Sequence, residues 1–334
     1  MSSKTVLITG ISGQDASYLA KFLLNRGDRV VGTVRPNASG DLWRLNKLGI
    51  RKDVELVNMD LTDSYSVMKA VDYCLPDQVY NLGAQSHVGL SYECPVSTIN
   101  TNGLGVINLL EALRGSHAQF YQAGTSEMFG HSPMPVSGYH DLIPFKPVSP
   151  YAVGKVMASY ALDAYRAAYR LDCREGILFN HESPLRGSNF VTQKIVQGIA
   201  RWRRTYEPFE LGNMEAVRDW GYAPEYVEGM VKILEEGREN RYVLATGMTM
   251  TVLQFMQQAA EVVSLNIIYD KDRGGVFDTW TGKMVAKVVP SEMRPTDVPF
   301  LRGDASRALI DFGWQPLTKG PELARIMMEA ALES

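Results

Sequence analysis

The sequence predicts an α/β fold of the Rossmann-like, doubly wound kind, a parallel sheet with helices on both faces, followed by a smaller C-terminal lobe. Three observations predict it. Short β-branched runs alternate with longer segments whose apolar residues recur at a period of about 3.6, the mark of repeated βαβ units. A glycine-containing turn follows the first run directly. From Pro150 the alternation gives way to one long helical segment, one further strand, and loops rich in Pro, Gly, Asn and Arg.

The runs are Thr5–Thr9 (TVLIT), Arg29–Val34 (RVVGTV), Val54–Asn58 (VELVN), Gln78–Asn81 (QVYN) and Ala118–Ala123 (AQFYQA). SYLAKFLLNRG, SVMKAVDYC and TNGLGVINLLEALRG supply helices between them. A long helix then opens at Tyr151 (YAVGKVMASYALDAYRAAYR) and leads into the strand CREGILF. In an open α/β sheet ligands bind outside the carboxyl ends of the strands, so the segments after ILF are suited to cover one.

Composition removes several classes. Hydrophobic residues at 45% and charged residues at 21% suit a folded globular chain and exclude disorder. A net charge of -3 provides no broad cationic field for nucleic acid. The start MSSKTVLITG lacks the apolar stretch and cleavage site of a signal peptide, and no apolar run approaches the ~20 residues that span a bilayer, so a cytoplasmic location is expected. Cys74, Cys94 and Cys173 form no CxxC pair, and no two of the five histidines stand at i, i+4. A disulfide framework and a metal site are therefore not expected.

The turn after the first strand reads Thr9-Gly10-Ile11-Ser12-Gly13-Gln14-Asp15-Ala16. Glycines there let the backbone approach a pyrophosphate, which the free N–H groups and positive end of the next helix then hold. The spacing is GxxGxxA, and an ordinary strand-to-helix turn is the alternative. The second strand ends Gly32-Thr33-Val34-Arg35 without an acid, which favours the 2′-phosphate of NADP over the bare ribose of NAD. Asp60 and Leu61 follow the third strand; Leu82, Ala84 and Ser86, in NLGAQSH, follow the fourth, where a bound dinucleotide would pass. Asp60 suits a turn or a helix cap equally well. On this reading residues 1–180 form an NADP-binding domain, with parts of the second half returning to it, and residues 181–334 mainly a substrate lobe.

Gly124-Thr125-Ser126-Glu127 lies just past the fifth strand, and Tyr151 and Lys155 stand four apart at the head of the long helix. Four apart is one helical face, so the ammonium is expected to favour the phenolate and lower a tyrosine pKa that starts at about 10. A YxxxK alone ordinarily marks a solvated helix face. With a dinucleotide turn and a strand-end hydroxyl it points to proton transfer.

TGxxGxxA, NLGAQSH and YxxxK together resemble the extended short-chain dehydrogenase/reductase family. Within it GQDASYLAKFLL, TSEMFG, SPYAVGK, GILFNHESPLRG, FVTQKI, LGNMEAVRDWG and MRPTDVPFLRGD are similar to the nucleotide-sugar 4,6-dehydratases that act on GDP-mannose, from Thr9 to roughly Trp314. The resemblance implies a Rossmann-like fold, NADP as cofactor and a hydride lent from C4 and returned to C6 within one turnover. It gives Tyr151, with Thr125 and Lys155, the 4-hydroxyl proton. It gives Glu127 the elimination across C5 and C6, since one carboxyl group can take the first proton and give the second. It assigns Asn180, Lys194, Arg218 and Arg294 to the diphosphate or nucleoside, Gly212 to the turn covering the nucleotide, and Ser86 and Ser126 to the substrate. His181 and Arg186 fall on the nicotinamide side, and a homodimer or homotetramer is implied.

Three positions depart from that pattern. Arg35 is followed by Pro36-Asn37-Ala38-Ser39 where a second Arg is usual in a loop that the family uses for tetramer contacts; Gln193 replaces an Arg; and Ala16 replaces the third glycine. A 4-keto-6-deoxy sugar reductase, a dehydratase of another nucleotide sugar and a non-catalytic NADP-sensing regulator are the rival readings. Glu127 opposes the first, NHES and RDWG the second, and the retained Tyr151 and Lys155 the third.

Overall fold

The computed structural model describes residues 3–35, 42–132 and 143–333; Pro36–Ser39 lies outside the described residues. In chain order the first half runs β1 (Thr5–Thr9), α1 (Gln14–Asn25), β2 (Arg29–Val34), α2 (Trp43–Lys47), β3 (Glu55–Asn58), α3 (Ser64–Cys74), β4 (Gln78–Asn81), α4 (Val88–Glu93) and α5 (Pro95–Ile99). A π-helical turn (Asn100–Leu104) leads into α6 (Gly105–Leu113), β5 (Gln119–Thr125), a 3-10 turn (Ser126–Phe129) and α7 (Pro150–Tyr169). There follow β6 (Cys173–Leu178), β7 (Asn180–Glu182), α8 (Val191–Thr205), β8 (Phe209–Leu211), β9 (Val217–Tyr222), α9 (Ala223–Glu236), β10 (Arg241–Leu244), β11 (Thr249–Thr251) and α10 (Val252–Glu261). β12 (Ile267–Asp270), β13 (Gly275–Asp278), β14 (Met284–Val288), a 3-10 turn (Pro290–Glu292), α11 (Ser306–Phe312) and α12 (Gly320–Leu332) complete the described elements.

The predicted doubly wound sheet is present. Seven strands run in the order β10-β6-β5-β4-β1-β2-β3, every pair parallel. β4 is buried along its whole length and β1 nearly so, as both sheet faces are covered; β3, at the edge, is only part-buried. Val6 and Ile8 pack in one core with Leu19 and Leu23 of α1 and Val227 and Met230 of α9. Leu7 packs in another with Val67 of α3, Leu109 of α6 and Leu162 of α7. Alternate side chains of one strand thus feed opposite layers. The chain winds outward from β1 through β2 to β3, then from β4 through β5, β6 and β10 on the other side. The order reverses between β1 and β4, and the crevice beyond their carboxyl ends is where such sheets bind ligands.

Boundaries differ from the sequence reading where tertiary contacts decide them. β5 continues past Ala123 to Thr125 because Gly124 and Thr125 still pair with Ile177 and Leu178 of β6. α7 starts at Pro150, one residue before Tyr151, since the Ser149 hydroxyl accepts the Ala152 N–H at 3.1 Å and proline suits the first helical position. The second half holds far more than the expected loops. β10 returns to the main sheet, whereas α8, α10 and α12 enclose a separate apolar core with Phe209, Trp220 and Val285. β7 leaves β6 to pair with β9 in the three-stranded sheet β11-β9-β7, carrying Asn180 and His181 across the strand ends. No helix among the described residues is long and apolar enough to cross a membrane.

Candidate active site

The glycine turn is built against the loop after β4. Gly10 has φ +67, and a Cβ on it would lie 2.7 Å from the Gly83 Cα. Both backbone conformation and close approach therefore demand glycine there. The Gly83 N–H donates to the Thr9 hydroxyl at 2.7 Å, drawing the two loops together. No side chain caps α1 at Gly13, so its leading N–H groups are open to an anion, the arrangement a dinucleotide pyrophosphate requires. Gly10→Ala should lower stability by about 2 kcal/mol or more, from left-handed strain and the clash together. Chemical denaturation checks this; an unchanged midpoint would contradict it.

An acid at this helix start would repel a diphosphate were it not neutralised. Asp15 accepts from His181 Nε2 at 2.9 Å, and the Phe179 carbonyl accepts from Nδ1 at 2.7 Å. Both ring nitrogens face acceptors, so the imidazole donates twice and is the cation. Burial alone would raise the Asp15 carboxyl, but the His181 charge and hydrogen bond bring it down to about 2. Burial alone would likewise lower His181, yet Asp15 and the Phe179 carbonyl carry it above its ordinary value. The ring stacks on Tyr226, centroids 4.7 Å apart. Gln14 is spent inside this cluster, donating to Asp15 and accepting from Ser183.

A buried polar chain crosses the strand ends. The Thr9 hydroxyl donates to Asn81 Oδ1 (2.6 Å), Asn81 Nδ2 to Gln122 Oε1 (2.8 Å), and Gln122 Nε2 to the Ala123 carbonyl (2.9 Å). Lys155 Nζ donates to the same carbonyl at 2.7 Å. Thr125 ends β5 with its hydroxyl accepting the Glu127 N–H at 3.3 Å, so the 3-10 turn brings Ser126 and Glu127 to the head of α7. Tyr151 is hydrogen-bonded to Thr125.

One expectation fails here. Tyr151 is not lowered by its helical neighbour: burial pushes it up to about 12, the Thr125 hydrogen bond pulls it back, and the Glu127 carboxylate adds to the rise. The Lys155 ammonium is directed at the Ala123 carbonyl instead, and its own burial lowers it to about 8 against the pull of Glu175 and Asp15. Sharing a helix face sets proximity; desolvation sets the sign.

A cavity of about 780 Å³ opens from this cluster. Asp15, Leu82, Ala84, Ser86, Thr125, Ser126, Glu127, Tyr151 and Lys155 line it from the sheet side. Asn180, His181, Arg186, Lys194, Gly212, Arg218 and Arg294 line it from the second half. Gly10, Gly13, Gln14, Arg35, Asp60 and Leu61 stand outside it, along the ends of β1, β2 and β3. Asp60 Oδ1 accepts from the N–H and hydroxyl of Thr62 (2.8 and 2.7 Å), a turn-closing role, while the Arg35 charge helps hold its carboxyl low against burial.

The cations of the far wall are paired with acids, of which sequence reasoning had singled out Glu127 alone. Lys194 meets Glu292 at 2.5 Å, Arg218 meets Asp297 at 2.8 Å, and Arg294 reaches Glu127 at 3.3 Å and Asp297 at 3.7 Å. Arg186 lies 2.9 Å from Glu182, its Nε–H not aligned on the carboxylate, and covers the Phe190 ring at 3.6 Å. Gly212 packs against the Glu292 carbonyl, where a Cβ would come within 2.5 Å. Arg44 was also missed: it donates to the carbonyls of Ser12 (2.7 Å) and Leu185 (2.6 Å), bolting the glycine turn to the NHESPLR loop. Thr9, Asn81 and Gln122 did carry a signal, being polar residues inside or ending apolar strands. Nothing local to Glu292, Asp297 or Arg44 distinguished them from solvated charges.

Comparison with known proteins agrees with this architecture. The chain is 39% identical to GDP-mannose 4,6 dehydratase of Cricetulus griseus, over 99% of this chain and 92% of that one. It is 40% identical to GDP-mannose 4,6-dehydratase of Sinorhizobium fredii, over 98% and 97%. Among solved structures it is similar to the UDP-glucose 4-epimerase of Thermus thermophilus in complex with NAD, with TM-score 0.81, 25% identity and 98% of each chain covered. The family defined as GDP-mannose 4,6 dehydratase matches residues 7–327. With that match spanning both the glycine turn and the cation-lined wall, the chain belongs to the GDP-mannose 4,6-dehydratase family.

Proposed function

We propose that this protein converts GDP-mannose to GDP-4-keto-6-deoxymannose, with NADP bound along the ends of β1, β2 and β4. The observation that carries this reading is a buried carboxyl group, Glu127, on the same cavity wall as the Tyr151–Thr125 pair. A single-carbon oxidation needs no such acid; an elimination across C5 and C6 does.

The bound nicotinamide supplies one thing, a hydride accepted from C4 and returned to C6. The chain's own residues handle the rest. Tyr151, hydrogen-bonded through Thr125, accepts the 4-hydroxyl proton, and Arg186 offsets part of the cost of the phenolate. The new 4-ketone acidifies C5. Glu127 takes the C5 proton and delivers it to the 6-hydroxyl, which departs as water. C5 takes up a proton to complete the product, and the one that Tyr151 received from the 4-hydroxyl balances it. Lys155 supports the proton transfer at Tyr151 with its buried cation, and the Asp15–His181 pair orients the cofactor side. Asn180 holds the diphosphate and nucleoside together with Lys194, Arg218 and Arg294, which exchange their carboxylate partners for phosphate oxygens.

Arg35 at the end of β2, where an acid would select NAD, supports NADP. The same reading carries a cytoplasmic enzyme assembled as a homodimer or homotetramer. Purified protein given GDP-mannose should form a 4-keto-6-deoxy product with no lasting change in reduced-cofactor absorbance, and should bind NADP more tightly than NAD. Steady consumption or production of reduced cofactor would overturn the dehydratase reading.

A further inference from the structure

Beneath α7 lies a carboxylate that the mechanism above does not use. Glu175 of β6 is fully buried, at the position paired with Gln122 of β5. Its Oε2 accepts from Ser159 Oγ at 2.6 Å and Arg241 Nε at 2.8 Å. Ser159 is one helical turn beyond Lys155. Its Oε1 has no hydrogen-bond partner among the described residues and faces Gly124, where a Cβ would stand 2.6 Å from it. Gly124 adjoins Ala123, whose carbonyl receives the Lys155 ammonium. A buried carboxylate oxygen left unsatisfied is costly, and here it lies one residue from the carbonyl that receives a buried cation.

We propose that Glu175 is a positioning residue for the reaction, its buried charge acting across the Ala123–Gly124 segment on the Lys155 ammonium at the head of the site. This rests on the reading of Tyr151 and Lys155 as the proton-handling end. Every element around the pair contributes in a definite sense. Arg241 of β10 binds Oε2 and is drawn also to Asp163 of α7, so its charge sits on the Oε2 side of the carboxylate, while Oε1 faces Gly124. Asp15 of α1 adds a second negative charge acting on Lys155, weaker than that of Glu175. Tyr121 of β5 is buried and neutral, burial and the Glu175 charge both disfavouring its phenolate. From α9 the contact at Gly176 is the apolar Ile233.

Glu175→Gln removes the charge at constant shape. Lys155 should then lose its proton at a pH lower by about one unit, an opposite charge at such range being worth that much. Two measurements read it. The alkaline fall of kcat should move down by about one pH unit with KM little changed, and Glu175→Asp should restore it. Independently of activity, the stability difference between each background and its Lys155→Met derivative, followed by chemical denaturation across pH, should begin to change at correspondingly lower pH. Should Glu175→Gln fail to fold because Arg241 has lost one of its carboxylates, Glu175→Gln/Arg241→Gln removes both charges and should still show a downward displacement. A folded variant that lowers kcat equally at all pH, with Lys155 titrating as in the parent, would overturn the proposal. If the denaturation result holds while Lys155→Met stays fully active, the proton-handling reading fails and the electrostatic one survives.

Discussion

Glu127→Gln should cut formation of the 4-keto-6-deoxy product by about 100- to 10,000-fold, the usual loss with a general acid–base group, while leaving the fold intact. Glutamine is isosteric and keeps an oxygen for Arg294, now 3.3 Å from the carboxylate. It can neither take the C5 proton nor give one to the departing 6-hydroxyl. Oxidation at C4 should survive, since the Glu127 charge is one of the influences holding Tyr151 up near 12, after burial. Removing that charge brings Tyr151 down and eases the first proton transfer. The variant should therefore accumulate about one equivalent of reduced-cofactor absorbance per site on mixing with GDP-mannose, a signal the parent lacks in the steady state. Full dehydration by the variant would remove Glu127 from the mechanism. Loss of both oxidation and elimination would show that it acts earlier, in substrate binding.

Lys155→Met should do two opposite things: lower kcat by about 100-fold or more and raise stability near neutral pH. Burial takes Lys155 from its ordinary 10.5 to about 8, a gap worth about 3 kcal/mol at about 1.4 kcal/mol per pH unit. Methionine fills the same volume without the charge. The Ala123 carbonyl it abandons keeps its bond from Gln122, so little is left unsatisfied and a net gain of about 2 kcal/mol is expected. The pH dependence has a definite sign. Between about pH 8 and 10.5 the folded parent has released this proton and the unfolded chain has not, so the parent's stability rises relative to the variant through that window. Below about pH 8 both states of the parent bind the proton and the difference is constant. A variant less stable than the parent at neutral pH, or a difference flat across the window, would mean that Lys155 is not buried at a cost. Such a cost at a reacting centre is the usual trade of stability for function.

The two outcomes share a cause. Tyr151, Lys155 and Glu127 are all held in a desolvated pocket, where burial dominates the titration of Tyr151 and Lys155 and each neighbouring charge then corrects it. The helix-face argument correctly made Tyr151 and Lys155 neighbours. It erred on the electrostatics because the ammonium has a nearer acceptor, and that acceptor comes from a different strand.

Local pattern was enough for the βαβ alternation, the glycine turn, the strand-end Thr125 and Glu127, and the Tyr151–Lys155 pair. Each depends on periodicity, on backbone conformation at one or two residues, or on spacing within one element, and all of these are written in consecutive residues. The seven-stranded order, with β10 returning from far along the chain to flank β6, was not legible, because a four-residue buried strand carries no period of its own. Nor were the partners of the long-range charges: His181 on Asp15, Arg218 on Asp297, Arg294 on Glu127, Arg241 on Glu175. Any Arg or Asp is solvated until the fold chooses its neighbour. Only the tertiary structure, by removing water from these groups and aiming one at another across strands, decided which charge meets which.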